Sequence, residues 1–165
     1  MNNKVSLVIG AVLIAIGIFR PDFSSVIPKA KPTVDLPSVT VSEPEDPSLK
    51  EAAVKVADIL KNGGPERTVD GLALAGLYGD IAKLISLDSE NQVVKTTSEI
   101  REINSVAGSL MNLKLQGKYP NLAVSARELV VEALGDDIAV LNETSREKAV
   151  DAFEALSWGC FEGTK

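Results

Sequence analysis

Glu128 and Asp137 are the residues whose types and spacing come nearest to a catalytic pair. Eight residues separate them. Two carboxylates held across a cleft are what glycoside hydrolysis needs, one protonated to serve the leaving group and one ionised. Asp136-Asp137 after Gly135 places two carboxylates side by side. A calcium loop distributes its oxygen ligands over alternate positions, so this pair reads as solvated acids beyond a helix end. Cys160 is the only cysteine, which excludes an internal disulfide and a cysteine-pair zinc site. Between Trp158 and Phe161 it is expected to be a buried structural thiol, with intermolecular disulfide formation or lipidation as the alternatives. The chain has no histidine, which removes Ser-His-Asp and Cys-His catalysis and a histidine pH switch. Gly63-Gly64 lacks the Lys-Ser/Thr ending of a phosphate loop. The sequence therefore assigns no catalytic, cofactor-binding or metal-ligating residues.

The composition narrows the partners. The chain has 165 residues, 17 basic and 23 acidic, for a net charge of −6 and a pI of about 4.8. Without a basic run there is no electrostatic footprint for nucleic acid. One Trp, two Tyr and four Phe leave little material for stacking platforms.

Three regions must position whatever chemistry exists. Residues 1–20 contain VSLVIGAVLIAIGIF (5–19), an uncharged apolar run between Lys4 and Arg20. As a helix it would be about 22 Å long, and snorkelling of Lys4 and Arg20 would cover the shortfall against the hydrocarbon core. The run reads as an uncleaved anchor, as the core of a cleaved secretory signal with Ala15 and Gly17 near its cleavage site, or as a soluble helix. Its continuation through Ile18 and Phe19 to Pro21 favours the anchor. Basic residues on both flanks give no decisive orientation, and the C-terminal domain is expected on the extracytoplasmic side. Ser6, Gly10 and Gly17, with Ala11 and Ala15, form small-residue faces that would allow homo-oligomerisation in lipid. Residues 21–45 are a proline-rich linker, a spacer able to hold its cargo up to about 80 Å from the membrane when extended. Pro21, Pro28, Pro32, Pro37 and Pro44 lie in it, and Pro47 follows.

Residues 46–165 read as an all-α domain of about five helices. Asp46 and Pro47 start the first, with Leu49, Ala53, Val56 and Leu60 inward and Asn62-Gly63-Gly64 as its end. The second covers 70–86, with Leu74, Leu77, Tyr78, Ile81, Leu84 and Ile85 on one face. Its Gly76 and Gly79 each cost about 1 kcal/mol relative to alanine, which close approach of a neighbouring helix would explain. Thr96 and Glu99 have capping-box spacing before a third helix whose stripe runs Ile100, Ile103, Val106, Ala107, Leu110 and Leu113, ended by Gly117. Asn121 is expected to cap a fourth, with Leu122, Ala126, Leu129, Val130, Ala133 and Leu134 inward and Gly135 as its stop. Thr144 and Glu147 repeat the box spacing before a fifth, carrying Ala149, Ala152, Phe153 and Leu156. Each stripe is narrow and faces a charged side, the pattern of a small helical bundle.

Two resemblances add to this reading. The Glu128/Asp137 spacing and the N-terminal apolar run are similar to phage-type lysozymes, some of which enter the membrane through a signal anchor. That resemblance implies a signal-anchored cell-wall hydrolase. The sequence departs from the family pattern at Glu143, where those enzymes carry Thr, and at Glu128, which sits inside a helical stretch (SARELVVEAL). The segments VVKTTSEIREINSVAG (93–108), QGKYPNL (116–122) and ALSWGC (155–160) resemble small membrane-anchored helical proteins of phages and marine bacteria. This second resemblance implies a phage-encoded membrane protein and nothing about catalysis. The expected function is a non-enzymatic, single-pass, membrane-anchored interaction module without a cofactor. Its helical domain would bind another protein, in a virion or envelope or as an accessory of host lysis. A secreted binding module with its signal removed is the remaining alternative.

Overall fold

The computed structural model describes residues 41–86, 94–115, 117–135 and 140–165. The expected anchor, most of the linker, Asp136 and Asp137 lie outside the described residues. Among the described residues there are five helices: α1 (Pro47–Lys61), α2 (Arg67–Ser86), α3 (Thr97–Lys114), α4 (Leu122–Leu134) and α5 (Glu143–Glu162). Among the described residues there is no strand, so the all-α expectation holds there.

The helix ends follow local chemistry. Asp46 accepts hydrogen bonds from the Ser48 amide (2.7 Å) and hydroxyl (2.8 Å), and Pro47 occupies the first turn, where no amide donor is needed. The Thr96 box closes both ways: the Glu99 amide donates to Thr96 Oγ1, and the Thr96 amide donates to Glu99 Oε2, each at 3.1 Å. α4 ends at Gly135, whose φ of 62° suits a residue without Cβ. Two expected caps are corrected. Asn121 is in the right-handed region and its side chain makes no cap bond; the Leu122 amide donates to Tyr119 O (3.1 Å), so a backbone turn leads into α4. The cap of α5 is Asn142 with Ser145, not Thr144 with Glu147. Leu141 fixes this register: its side chain is in the core and its amide donates to Lys95 O (2.8 Å). The helix therefore starts directly after it, and Thr144 is an exposed first-turn residue.

α5 is the central element, packing most extensively on α2 and then on α1 and α4, while α3 lies mainly on α4. Its stripe is wider than expected. Besides Ala149, Ala152, Phe153 and Leu156, it buries Ser145, Ala155, Ser157, Gly159 and Cys160. Small residues let three helices approach it. A Cβ on Gly159 would lie 2.4 Å from Ala53 O of α1, and one on Gly163 would lie 2.6 Å from Leu60 Cβ. Gly159 and Gly163 therefore form a two-point seat for α1. Phe153 and Tyr78 pack with ring centroids 6.1 Å apart, and the Tyr78 hydroxyl donates to Met111 Sδ at 3.6 Å.

Polar ties fix the helices in register. Ser157 Oγ donates to Ala75 O (2.7 Å), joining α5 to α2, and Asn104 Nδ2 donates to Ala126 O (3.3 Å), joining α3 to α4. Arg146 donates to Ile85 O (2.7 Å) and Val94 O (3.1 Å), tying α5 to the end of α2 and the approach to α3. Two further expectations are corrected. Leu113 is 76% exposed, because Ile100, Ile103, Ala107 and Met111 form the buried face of α3. Beyond the local backbone of α2, no atom would lie within 4 Å of a Cβ on Gly76, and one on Gly79 would meet only Ser157 Oγ at an ordinary 3.5 Å. Close helix approach does not explain Gly76, and nothing else in the structure does.

Candidate functional site

Of the residues singled out in the sequence, Glu128 and Cys160 are among the described residues and Asp136 and Asp137 are not. Glu128 is exposed on α4, on the same outward face as Val124, and Asp137 lies outside the described residues. Cys160 is fully buried, and burial pushes its thiol far above the ordinary range, which suppresses the thiolate needed for reactivity. Among the described residues, no group of three or more Cys, Asp or Glu is placed to hold a metal ion.

A groove of about 200 Å³ lies instead where α1, α4 and α5 meet. Leu49 and Ala52 of α1 and Leu129 and Ala133 of α4 supply its apolar lining, while Asp46, Ser48, Glu132, Lys148 and Asp151 supply its polar lining. Alanines at 52 and 133, where larger side chains would close the helix–helix gap, leave room for it. The Ser48 hydroxyl and then its amide hold the Asp46 carboxyl below its ordinary pKa, so Asp46 is ionised at neutral pH. Elsewhere on the surface, Glu51–Lys55, Asp58–Lys61 and Asp80–Lys83 form ion pairs along their helices. Among the described residues, Glu132, Lys148 and Asp151 have no ion-pair partner. The groove thus presents three acids, one base and apolar surface from two helices.

The sequence shows Asp46 as a cap and Leu49 and Leu129 as core positions; it does not single out Glu132, Lys148 or Asp151. It gives no sign that they converge, because that depends on how α4 crosses α1. The available signal is the Ala52/Ala133 pair, two small residues on partly buried faces.

A second polar cluster sits at the far end of α1, about 22 Å along its axis. Tyr119 is buried against Gly63 and donates from its hydroxyl to Asp70 Oδ2 (2.8 Å). Lys118 pairs with Glu66 and lies 3.5 Å from Asp70 Oδ2. The bond and charge of Lys118 lower the Glu66 pKa, and Glu66 in turn raises that of Lys118. These contacts pin the α3–α4 connection onto the α1–α2 turn. The role is one of holding the fold: the ring fills the space where a Gly63 side chain would be.

The two tyrosines give a direct check. Burial pushes the Tyr78 phenol well above its ordinary value of 10, with the nearby Cys160 adding to it. Burial and then the bond to Asp70 push Tyr119 up as well. Both phenols keep their protons longer in the native state than in the unfolded one. Their contribution to stability is complete below about pH 10 and is lost as pH rises beyond it. Phenolate absorbance near 295 nm is expected to rise only together with loss of the helical circular dichroism. Phenolate formation in a chain that keeps its helices would show that these rings are not enclosed.

Comparison with protein families, curated proteins and solved structures finds no match. The site is therefore read from its own chemistry. A volume of about 200 Å³ is below the roughly 300 Å³ at which pockets for drug-sized ligands begin.

Proposed function

We propose that this chain is a non-enzymatic, single-pass membrane protein whose helical bundle binds another protein through the α1/α4/α5 groove. The groove carries the reading: its apolar lining and unpaired charges offer a partner both an anchor seat and charged contacts. The fifteen uncharged residues 5–19 support the membrane attachment, and residues 21–45 serve as the spacer. Among the described residues, no helix is long and apolar enough to cross a membrane, so the attachment rests on that run. The bundle faces the extracytoplasmic side or forms part of a virion. Its place is in a phage virion or envelope, or beside the host lysis machinery.

Alkaline carbonate extraction tests the attachment. The wild-type chain is expected in the membrane pellet. Ile14→Arg is expected to move it to the soluble fraction, since arginine at the centre of a span costs about 2.5–3.5 kcal/mol on insertion scales. Wild-type chain recovered soluble at full mass would remove the membrane assignment. In parallel, the intact chain is expected not to clear purified peptidoglycan between pH 5 and 8. Clearing by the wild type that Glu128→Gln abolishes would overturn the non-enzymatic reading.

A further inference from the structure

We infer that the α1/α4/α5 groove receives a basic amphipathic helix from the partner protein, one apolar side chain seated against Leu49 and Leu129 and Lys or Arg side chains set against Glu132, Asp151 and Asp46. This rests on the interaction-module reading and specifies its partner. Three observations lead to it.

The first is the charge balance. Of the four charged side chains that line the groove, three are acidic and only Lys148 is basic. Glu132 and Asp151 have no ion-pair partner among the described residues. An acidic partner would meet like charge on at least two of the three helices, an arrangement that costs several kcal/mol in an interface. A basic one meets opposite charges whose full strength is not already used in pairs within the chain.

The second is the form of the lining. Binding by strand addition requires an exposed sheet edge, and there is no strand among the described residues. Recognition of a polyproline segment requires an aromatic-lined groove, and no aromatic residue lines this one. Recognition of an acidic or phosphorylated motif requires a cluster of arginines, and Lys148 is the one basic residue in the lining. A further common mode lays the apolar face of a helix into a hydrophobic groove. Two helix-borne walls, Leu49 with Ala52 on α1 and Leu129 with Ala133 on α4, fit that mode.

The third is size. The space of about 200 Å³ admits one large apolar side chain with its immediate neighbours. That arrangement, a buried anchor inside a ring of polar contacts, is how a few residues come to dominate interface energy.

The test uses the full chain in an uncharged detergent, with NMR of the Leu49, Ala52, Leu129 and Ala133 methyl groups, so that peptide bound to micelles does not register. The probe is a fourteen-residue helical peptide with Leu at one-turn intervals flanked by Lys. It is expected to shift the methyl groups of these four residues saturably. Two control peptides, one with Glu for Lys and one with Ser for Leu, are expected to bind at least tenfold more weakly. In the chain, Glu132→Lys with Asp151→Lys is expected to weaken binding about tenfold or more. The same charge change placed away from the groove, Asp80→Lys with Glu102→Lys, should weaken it less than threefold. Ala52→Leu, which fills the seat from a partly exposed position, should block binding while leaving the Tyr78 and Phe153 signals in place.

Equal weakening by the two double variants would reduce the effect to net charge and overturn the inference. So would equal binding of the Glu peptide. Methyl shifts that grow with protein concentration alone would assign the groove to a second copy, and shifts produced by a peptide of residues 24–34 in preference to the probe would assign it to this chain's own linker. Either result overturns the proposed partner. Failure of the peptide to bind a chain that stays in the carbonate pellet and clears no peptidoglycan overturns only this inference. Clearing of peptidoglycan overturns the reading beneath it.

Discussion

Replacing Phe153 with alanine is expected to destabilise the protein by about 3–5 kcal/mol, the range for removing a large aromatic side chain from a closed core. Phe153 has no exposed surface and lies on α5, the helix that touches α1, α2 and α4. Its ring packs at a tilt on Tyr78, itself fully buried and held through Met111 to α3. The cavity left by the ring therefore opens between α5 and α2. Small neighbours such as Ala149 and Ala152 have no side-chain length with which to fill it. A domain of this kind has about 5–15 kcal/mol in total, so the variant should melt far earlier or populate unfolded chain at room temperature. Urea unfolding of wild type and variant measures the difference through the shift in midpoint at unchanged slope. A loss below about 1 kcal/mol would mean that the ring is not part of the core. The groove should suffer too, since it is formed where α4 and α1 rest against α5.

Where the sequence was informative, the signal was local. Asp46-Pro47, the Thr96/Glu99 box and Gly135 each satisfy backbone groups within one helical turn, so residue type and spacing suffice to locate them. The failures share a different cause. Asn142 competes with Thr144 for the start of α5, and the choice is made by Leu141, whose amide bonds to Lys95 O more than forty residues back in the chain. Ala155, Ser157 and Gly159 carry little hydrophobic signal, yet all three are buried because they let neighbouring helices come close. Leu113 has the opposite character: apolar and in phase with the α3 stripe, it is left exposed because no helix among the described residues covers that side. The groove belongs with these failures. Leu49 and Leu129 are recognisable as apolar positions, but only the crossing of α1 and α4 turns them, with Glu132 and Asp151, into one site. Periodicity reports which side of a helix is apolar; it does not report how many neighbours that side will find.

The same substitution at two glycines separates these effects, because its sign should reverse between them. Both Gly76 and Gly159 lie inside helices, where alanine is intrinsically better by about 1 kcal/mol. At Gly76 a Cβ would have nothing within 4 Å beyond the local backbone of α2, and the backbone there is not in a positive-φ conformation. Gly76→Ala is therefore expected to stabilise the bundle by about 0.5–1 kcal/mol, chiefly by restricting the unfolded chain. At Gly159 the Cβ would stand 2.4 Å from Ala53 O, 3.1 Å from Ala53 C and 3.2 Å from Ala53 Cα. These are backbone atoms of α1, which cannot rotate aside as a side chain can. Relief requires α1 to move away from α5, and α1 is also held at Gly163 by Leu60 and Ala57. Overpacking of this kind costs about 1–3 kcal/mol or more, which exceeds the helix-propensity gain. Gly159→Ala is accordingly expected to destabilise by about 2 kcal/mol, so the two variants should lie about 3 kcal/mol apart on either side of wild type. Because α1 supplies Leu49 and Ala52, its displacement should also change the groove, and Gly159→Ala should bind the Leu/Lys peptide more weakly while Gly76→Ala binds it as wild type does. Equal stabilisation by both variants would show that α1 does not rest on Gly159, and the packing that shapes the groove would have to be drawn differently.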